Sequence, residues 1–187
     1  MIGGKHSRAW RAVMAAGWLI VLTVAQGRAA PPATEAELKA VLLFHLTQFV
    51  TWPAASSNQT EFVIGILGPD PFGPALDSVI KGETVGGRPI RVIRYNRARD
   101  LIGSSLVYVS PQARGSPSRI FEEFKTPPVL TVGESTDFLH DGGMIRFKRT
   151  SERKIRLEIQ LTRARESGLN INAQLLRVSD VVEGGGR

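Results

Sequence analysis

The residues from Gly65 to Gly73 read Gly-Ile-Leu-Gly-Pro-Asp-Pro-Phe-Gly and lie where a strand hands over to a helix, the place at which nucleotide-binding folds put a glycine-rich turn. The spacing fits neither the dinucleotide pattern G-x-G-x-x-G nor the P-loop, which also needs a lysine. Pro69, Pro71 and Pro74 remove backbone N–H donors that a phosphate cradle would use, so the stretch is read as a structural turn. His45 lies on the apolar stripe of a helix and is read as a hydrogen-bonded core or boundary histidine rather than a metal ligand. His140, before Asp141-Gly142-Gly143, is read as a turn residue. Ser135, Asp137 and His140 contain the residue types of a hydrolytic triad, but Ser135 is not set in G-x-S-x-G. Asp70, Asp77, Asp100, Glu134 and Asp137 are scattered carboxylates without a pairing signal. No catalytic residue, cofactor-binding residue or metal ligand is assigned. Arg88, Arg91, Arg94, Arg97 and Arg99 form the densest basic run; a solvated sheet edge or loop is one reading, a site for an anionic headgroup or acidic partner the other. Trp52-Pro53 is read as a helix-terminating core anchor ahead of a binding aromatic.

The elements that would position these residues alternate. Thr34 followed by Glu37 has the form of a capping box, opening a helix from Glu35 to about Val50. Leu38, Val41, Leu42, His45, Leu46, Phe49 and Val50 are taken as its buried face, and Pro53 as its stop. Apolar runs at Phe62 to Leu67, Ile90 to Tyr95, Leu106 to Val109 and Val129 to Val132 read as buried strands. Short helices are placed at Pro74 to Lys81, before Gly82, and after Ser116-Pro117 with Ile120, Phe121 and Phe124 as its stripe. Strands alternating with helices predict a mainly parallel sheet flanked by helices.

The C-terminal third changes character. Met144 to Lys148 and Ile155 to Gln160 read as an antiparallel β-hairpin, with Ile155, Leu157 and Ile159 buried and Arg156, Glu158 and Gln160 on a polar face at a sheet edge. Leu161 to Ser167 reads as a short helix ended by Gly168. Asn172 then caps a terminal helix carrying Leu175, Leu176, Val178 and Val181, followed by a frayed tail, 183–187.

Residues 1–29 read as a secretory signal. Lys5, Arg8 and Arg11 make the positive region, Ala12 to Val24 an apolar run of 13 residues, and Gly27-Arg28-Ala29 a cleavage site after Ala29. The run falls well short of the ~20 residues that span a bilayer. Removing 29 of 187 residues leaves 158, enough for one domain over 30–182. The formal charge falls from +7 to +3 as Lys5, Arg8, Arg11 and Arg28 leave, and the remaining cations are spread out, which argues against a nucleic-acid partner. The chain has no cysteine, which excludes disulfides, zinc–thiolate sites and a cysteine nucleophile.

Together these blocks resemble the YfiR family of bacterial periplasmic proteins. The carriers are Phe49-Val50-Thr51-Trp52-Pro53, the block from Phe62 to Gly73, Gly86-Gly87-Arg88-Pro89-Ile90, Val129-Leu130-Thr131-Val132-Gly133, Gly142-Gly143-Met144-Ile145 and Gln174-Leu175-Leu176, in order from Glu35 to Val182. The resemblance implies a Rossmann-like α/β fold and a non-enzymatic regulator that contacts and represses a membrane-bound diguanylate cyclase, or a related sensor kinase, on the periplasmic side. It thereby ties the chain to cyclic-di-GMP signalling, adhesion and biofilm formation, with a homodimer kept open. Two departures stand out: Ser104 and Ser105 where family members often carry cysteine, and Arg146 and Gln160 where the hairpin usually carries asparagine. A periplasmic small-molecule binder feeding a sensor is the alternative reading. Partner contact is assigned to the C-terminal unit, at Glu158, Leu169, Asn170, Ile171 and Gln174. The competing expectation is that Leu169 and Ile171 pack under the last helix.

Overall fold

The computed structural model describes residues 33–53, 59–123, 128–152 and 154–182. The signal read at 1–29, Phe124 of the third helix and the tail 183–187 lie outside the described residues. The chain enters through the expected capping box: Glu37 N–H donates to Thr34 Oγ1 at 3.2 Å, and Thr34 N–H donates to Glu37 Oε2 at 2.7 Å. The helix so opened, α1 (Glu35–Phe49), stops earlier than Pro53 requires, because Val50 turns extended. Val50–Thr51 (β1) then pairs antiparallel with Asn170–Ile171 (β9), a two-stranded ribbon absent from the sequence reading. Two β-branched residues ahead of a proline favour that strand over another half-turn of helix.

The buried face of α1 is also rotated from the predicted one. Lys39, Ala40, Leu43, Leu46 and Thr47 are buried, whereas Leu38 and His45 are exposed. Apolar residues occupy most of this helix's circumference, so periodicity alone did not choose a face. Tertiary packing chose the side where small Ala40 allows close approach and Lys39 finds a carboxylate.

Among the described residues the main sheet has eight strands. Phe62–Leu67 (β2) lies between Arg88–Tyr95 (β4) and Leu106–Val109 (β5), parallel to both. Leu130–Gly133 (β6) and Ile145–Arg149 (β7) continue the parallel order beyond β5. Ile155–Gln160 (β8) closes the predicted hairpin antiparallel to β7, with Ile145 opposite Ile159. Thr84–Val85 (β3) borders β4 through the Gly86-Gly87 turn, where φ is 56° and 77°. Positive φ at both positions is what a two-residue hairpin with right-handed twist requires, and glycine adopts it freely. Because of this hairpin β4 starts at Arg88, two residues before the predicted strand. It is also alternately exposed rather than buried throughout.

The sequence reading made β8 an edge and gave Val181 to the terminal helix; the structure corrects both. The last helix, Ala173–Arg177 (α5), has only five residues. After it, Asp180–Val182 (β10) pairs parallel with β8, Val181 opposite Ile159. The β-branched pair Val181-Val182 suits a strand better than a fraying helix end.

Side-chain alternation along the inner strands feeds two cores. From β5, Leu106 and Tyr108 join Ile64, Ile66, Leu130, Val132 and Phe147 under α1, Pro74–Ile80 (α2) and Leu161–Glu166 (α4). Val107 and Val109 face the other way, with Leu101, Ile120, Phe138 and Leu139 beneath Pro117–Glu123 (α3) and its neighbouring loops. All four residues of β5 and of β6 are buried, as expected of parallel strands covered on both faces. The result is a mainly parallel, Rossmann-like α/β sheet with an antiparallel hairpin near one side.

Candidate functional site

The chemistry-bearing residues singled out from sequence are not brought together. His140 is exposed and its Nδ1 faces Asp141 at 3.3 Å; no hydrogen bond joins it to Ser135 or Asp137 among the described residues. Among the described residues no group of three His, Asp or Glu side chains is placed to hold a metal. The glycine- and proline-rich turn is held by its own aspartate: Asp70 Oδ1 accepts from Phe72 N–H at 2.7 Å and Gly73 N–H at 3.2 Å, and its Oδ2 pairs with Arg94 Nε at 2.9 Å. Arg94 also pairs with Asp77 at 2.6 Å, and Arg91 with Glu61 at 3.1 Å. These exposed pairs contribute less than about 1 kcal/mol each. Trp52 anchors the end of α1, its Nε1 donating to the Ser105 carbonyl at 2.9 Å and its ring edge-on to Phe62 at 4.8 Å.

One polar cluster escaped the sequence reading. Lys39 Nζ, on the buried face of α1, lies 2.6 Å from Glu134 just after β6, and the Tyr108 hydroxyl donates to the other oxygen of that carboxylate. Burial pushes the Tyr108 hydroxyl far above its ordinary pKa, with the Glu134 hydrogen bond and charge adding to the effect. The Tyr108 hydroxyl and the Lys39 ammonium both donate to the Glu134 carboxylate, and the cluster ties α1 to the strand ends. Its only trace in the sequence was a tyrosine inside an otherwise aliphatic strand.

The residues assigned to partner contact divide sharply. Glu158, expected on an exposed polar face, is 7% exposed. Its carboxylate accepts from Arg146 Nε at 2.7 Å and from Lys148 Nζ at 2.6 Å, both reaching across from β7. Arg146 also donates to the Thr136 carbonyl at 2.5 Å, so this departure from the family pattern is accommodated by the ion pair with Glu158 and a backbone hydrogen bond. Leu169 and Ile171, at 2% and 5%, belong to the core, the packing expectation having won over exposure. Asn170 and Gln174 are exposed.

The exposed pair sits in the unit that also carries the outermost strand. Among the described residues β10 has β8 as its one neighbour, leaving a row of backbone donors and acceptors open. Val178 is 73% exposed, and Val181 and Val182 are exposed on β10 itself. Beside them a groove of about 440 Å³ runs between α1 and the start of β8, with Leu42, Phe49, Ile155, Leu175 and Val178 in its walls. His45 stands in the wall of this groove, its ring centroid 6.1 Å from that of Phe44 and 6.5 Å from that of Phe49, and not in the core.

A family model described as YfiR/HmsC-like matches residues 36–180. No protein of curated function matches the chain. Among solved structures, a conserved domain protein from Vibrio cholerae O1 biovar eltor superposes with a TM-score of 0.51 at 12% identity, over 80% of this chain and 60% of that one. The ABC domain in complex with L-Trp from Streptococcus pneumonia gives 0.45 at 12% identity, over 79% of this chain and 60% of that one. The chain thus spans about 60% of the length of these two structures, and the first likeness is one of fold.

Proposed function

Since the chain belongs to the YfiR/HmsC-like family, a family of periplasmic regulators in cyclic-di-GMP signalling, we propose that it binds and represses a membrane-bound diguanylate cyclase or related membrane sensor from the periplasmic side. It does so without turnover of its own, and through that repression it limits adhesion and biofilm formation. The observation that carries the reading is the open edge of β10 beside the apolar groove. An extended segment of the partner's periplasmic domain adds alongside β10 by main-chain hydrogen bonds, and its apolar side chains cover Val178 and enter the groove. Asn170 and Gln174, which are exposed in the same C-terminal unit, are assigned to the polar periphery of this contact.

Val178→Asp and Val181→Asp test the surface, because both side chains are exposed and neither substitution removes core packing. The double variant should keep the wild-type melting temperature and fail to capture the membrane cyclase or sensor from a detergent extract of the envelope. Retention of that partner by the folded variant would place the surface elsewhere. Loss of self-association instead, with membrane capture intact, would make this edge a homodimer contact.

Export follows from the ordered positive, apolar and small-residue regions of 1–29. Mass spectrometry of the periplasmic fraction should recover a chain beginning at Ala30. An intact Met1 chain held in the membrane fraction would contradict this.

A further inference from the structure

The order of the sheet reverses at β2. The chain leaves β2 for β4 on one side, then crosses to β5 on the other and continues to β6. In open parallel sheets the crevice outside the carboxyl ends of the strands at such a reversal is where ligands bind. Here it is a cavity of about 700 Å³, walled by Gly68 and Pro69 after β2, Asn96 and Arg97 after β4, and Gln112 and Arg114 after β5. A smaller cavity of about 230 Å³ shares Arg114 and extends to Arg119. Among the described residues Glu123 is the one carboxylate lining either space.

This crevice is built rather than incidental. Gly68 has φ +87°, and a Cβ there would lie 2.9 Å from the Ala113 backbone, so glycine lets the β2 turn and the β5 loop close on one another. Gly68 N–H donates to the Tyr95 carbonyl at 2.9 Å and Ser110 N–H to the Leu67 carbonyl at 3.0 Å, which locks the three strand ends together. Ser110 Oγ donates to Gln112 Oε1 at 2.8 Å, which orients the amide and leaves its NH₂ to donate. The guanidinium groups of Arg97, Arg114 and Arg119 have no carboxylate within 4.0 Å among the described residues, whereas Arg91, Arg94, Arg146, Arg149 and Arg156 all do. Other arginines, such as Arg177, are also unpaired, but these three share one concavity at the strand ends.

We infer that this crevice binds a small, polar organic anion, a polycarboxylate or a phosphate ester, gripped by Arg97 and Arg114. The prolines of the β2 turn cannot offer a backbone cradle, so recognition falls to side chains. A guanidinium fork matches the two oxygens of a carboxylate or phosphoryl group. The volume lies within the range of sites for small ligands. The site stands whether or not the chain represses a cyclase, and binding to the purified protein alone reports on it.

Titration calorimetry at low ionic strength, with citrate and glucose 6-phosphate as probes and glucose as the uncharged control, tests the assignment. At least one anion should saturate with a Kd below about 1 mM and glucose should not bind. Which anion binds tells carboxylate from phosphoryl recognition. Arg97→Gln combined with Arg114→Gln should weaken that binding by about tenfold or more, while Arg177→Gln should leave it unchanged. Absence of saturable binding by both anions, equal binding by the double variant, or an equal loss with Arg177→Gln would each overturn the proposal.

Discussion

Replacing Gly143 with valine should leave little folded protein at physiological temperature, and even alanine should lower stability measurably. A Cβ at this position would lie 2.2 Å from Phe138 Cε1 and 2.7 Å from the Phe138 carbonyl oxygen. The ring has no room to retreat. Phe138 is fully buried, a Cβ on Gly133 would meet its opposite edge at 2.4 Å, and Phe121 packs edge-on at 5.6 Å. Nor can the carbonyl shift freely, since it accepts the Gly143 N–H at 2.8 Å and so closes the turn. Overpacking in a core costs about 1–3 kcal/mol, and contact with backbone puts Gly143→Ala at the top of that range. A domain of ordinary stability has only about 5–15 kcal/mol in total. Phe138→Ala should cost about 3–5 kcal/mol by emptying the same space. Combined with Gly143→Ala it should cost less than the sum, because the ring that clashes is gone. Urea denaturation measures all three; losses below about 0.5 kcal/mol for Gly143→Ala would contradict the packing described.

Glu158→Lys should destabilise strongly rather than report on binding. It would set a third cation beside Arg146 and Lys148 at a side chain only 10% exposed. Breaking a buried pair in this way costs about 3–5 kcal/mol. Glu158→Gln gives a finer test through pH. Burial pushes the Glu158 carboxyl up, but the hydrogen bonds from Lys148 and Arg146 outweigh it, and the net result lies below the ordinary value of 4.5. A carboxyl depressed in the folded state contributes stability that is complete above its unfolded pKa and is lost as pH falls through the folded one. The gap in melting temperature between wild type and Glu158→Gln should therefore be constant above about pH 5 and shrink as pH falls below 4.5. A gap that stays constant or widens on acidification would show that the charge of Glu158 is not what holds this cluster.

These two sites also show what sequence reasoning reached and where it stopped. Gly133 and Gly142-Gly143 stood out as parts of a family pattern, and the structure supplies the cause: Gly133 and Gly143 flank one phenylalanine ring, and Gly142 has φ +115°. The capping box, the inner strands and the hairpin were legible because local chemistry decides them. What failed was decided by tertiary context. The face of α1 could not be chosen from a helix apolar on most sides. Glu158 alternated with apolar residues as an exposed side chain would, and only the Arg146–Lys148 pair opposite it explains its burial. The ribbons β1–β9 and β8–β10 were missed because each rests on two or three residues paired across long stretches of chain. The crevice at the strand ends was equally invisible, since Arg97, Arg114 and Gln112 come from separate loops. Proximity along the chain groups Arg97 instead with Arg91 and Arg94 of β4, which pair with Glu61, Asp70 and Asp77 away from the crevice lining.

The proposed repression of a membrane cyclase through the C-terminal edge has a direct readout in the cellular level of cyclic-di-GMP. Deleting the gene should raise that level, and restoring the wild-type chain should bring it back. The Val178→Asp/Val181→Asp variant, exported to the same amount with an unchanged melting temperature, should fail to do so. A level unaffected by deletion, or restored fully by the edge variant, would contradict the account.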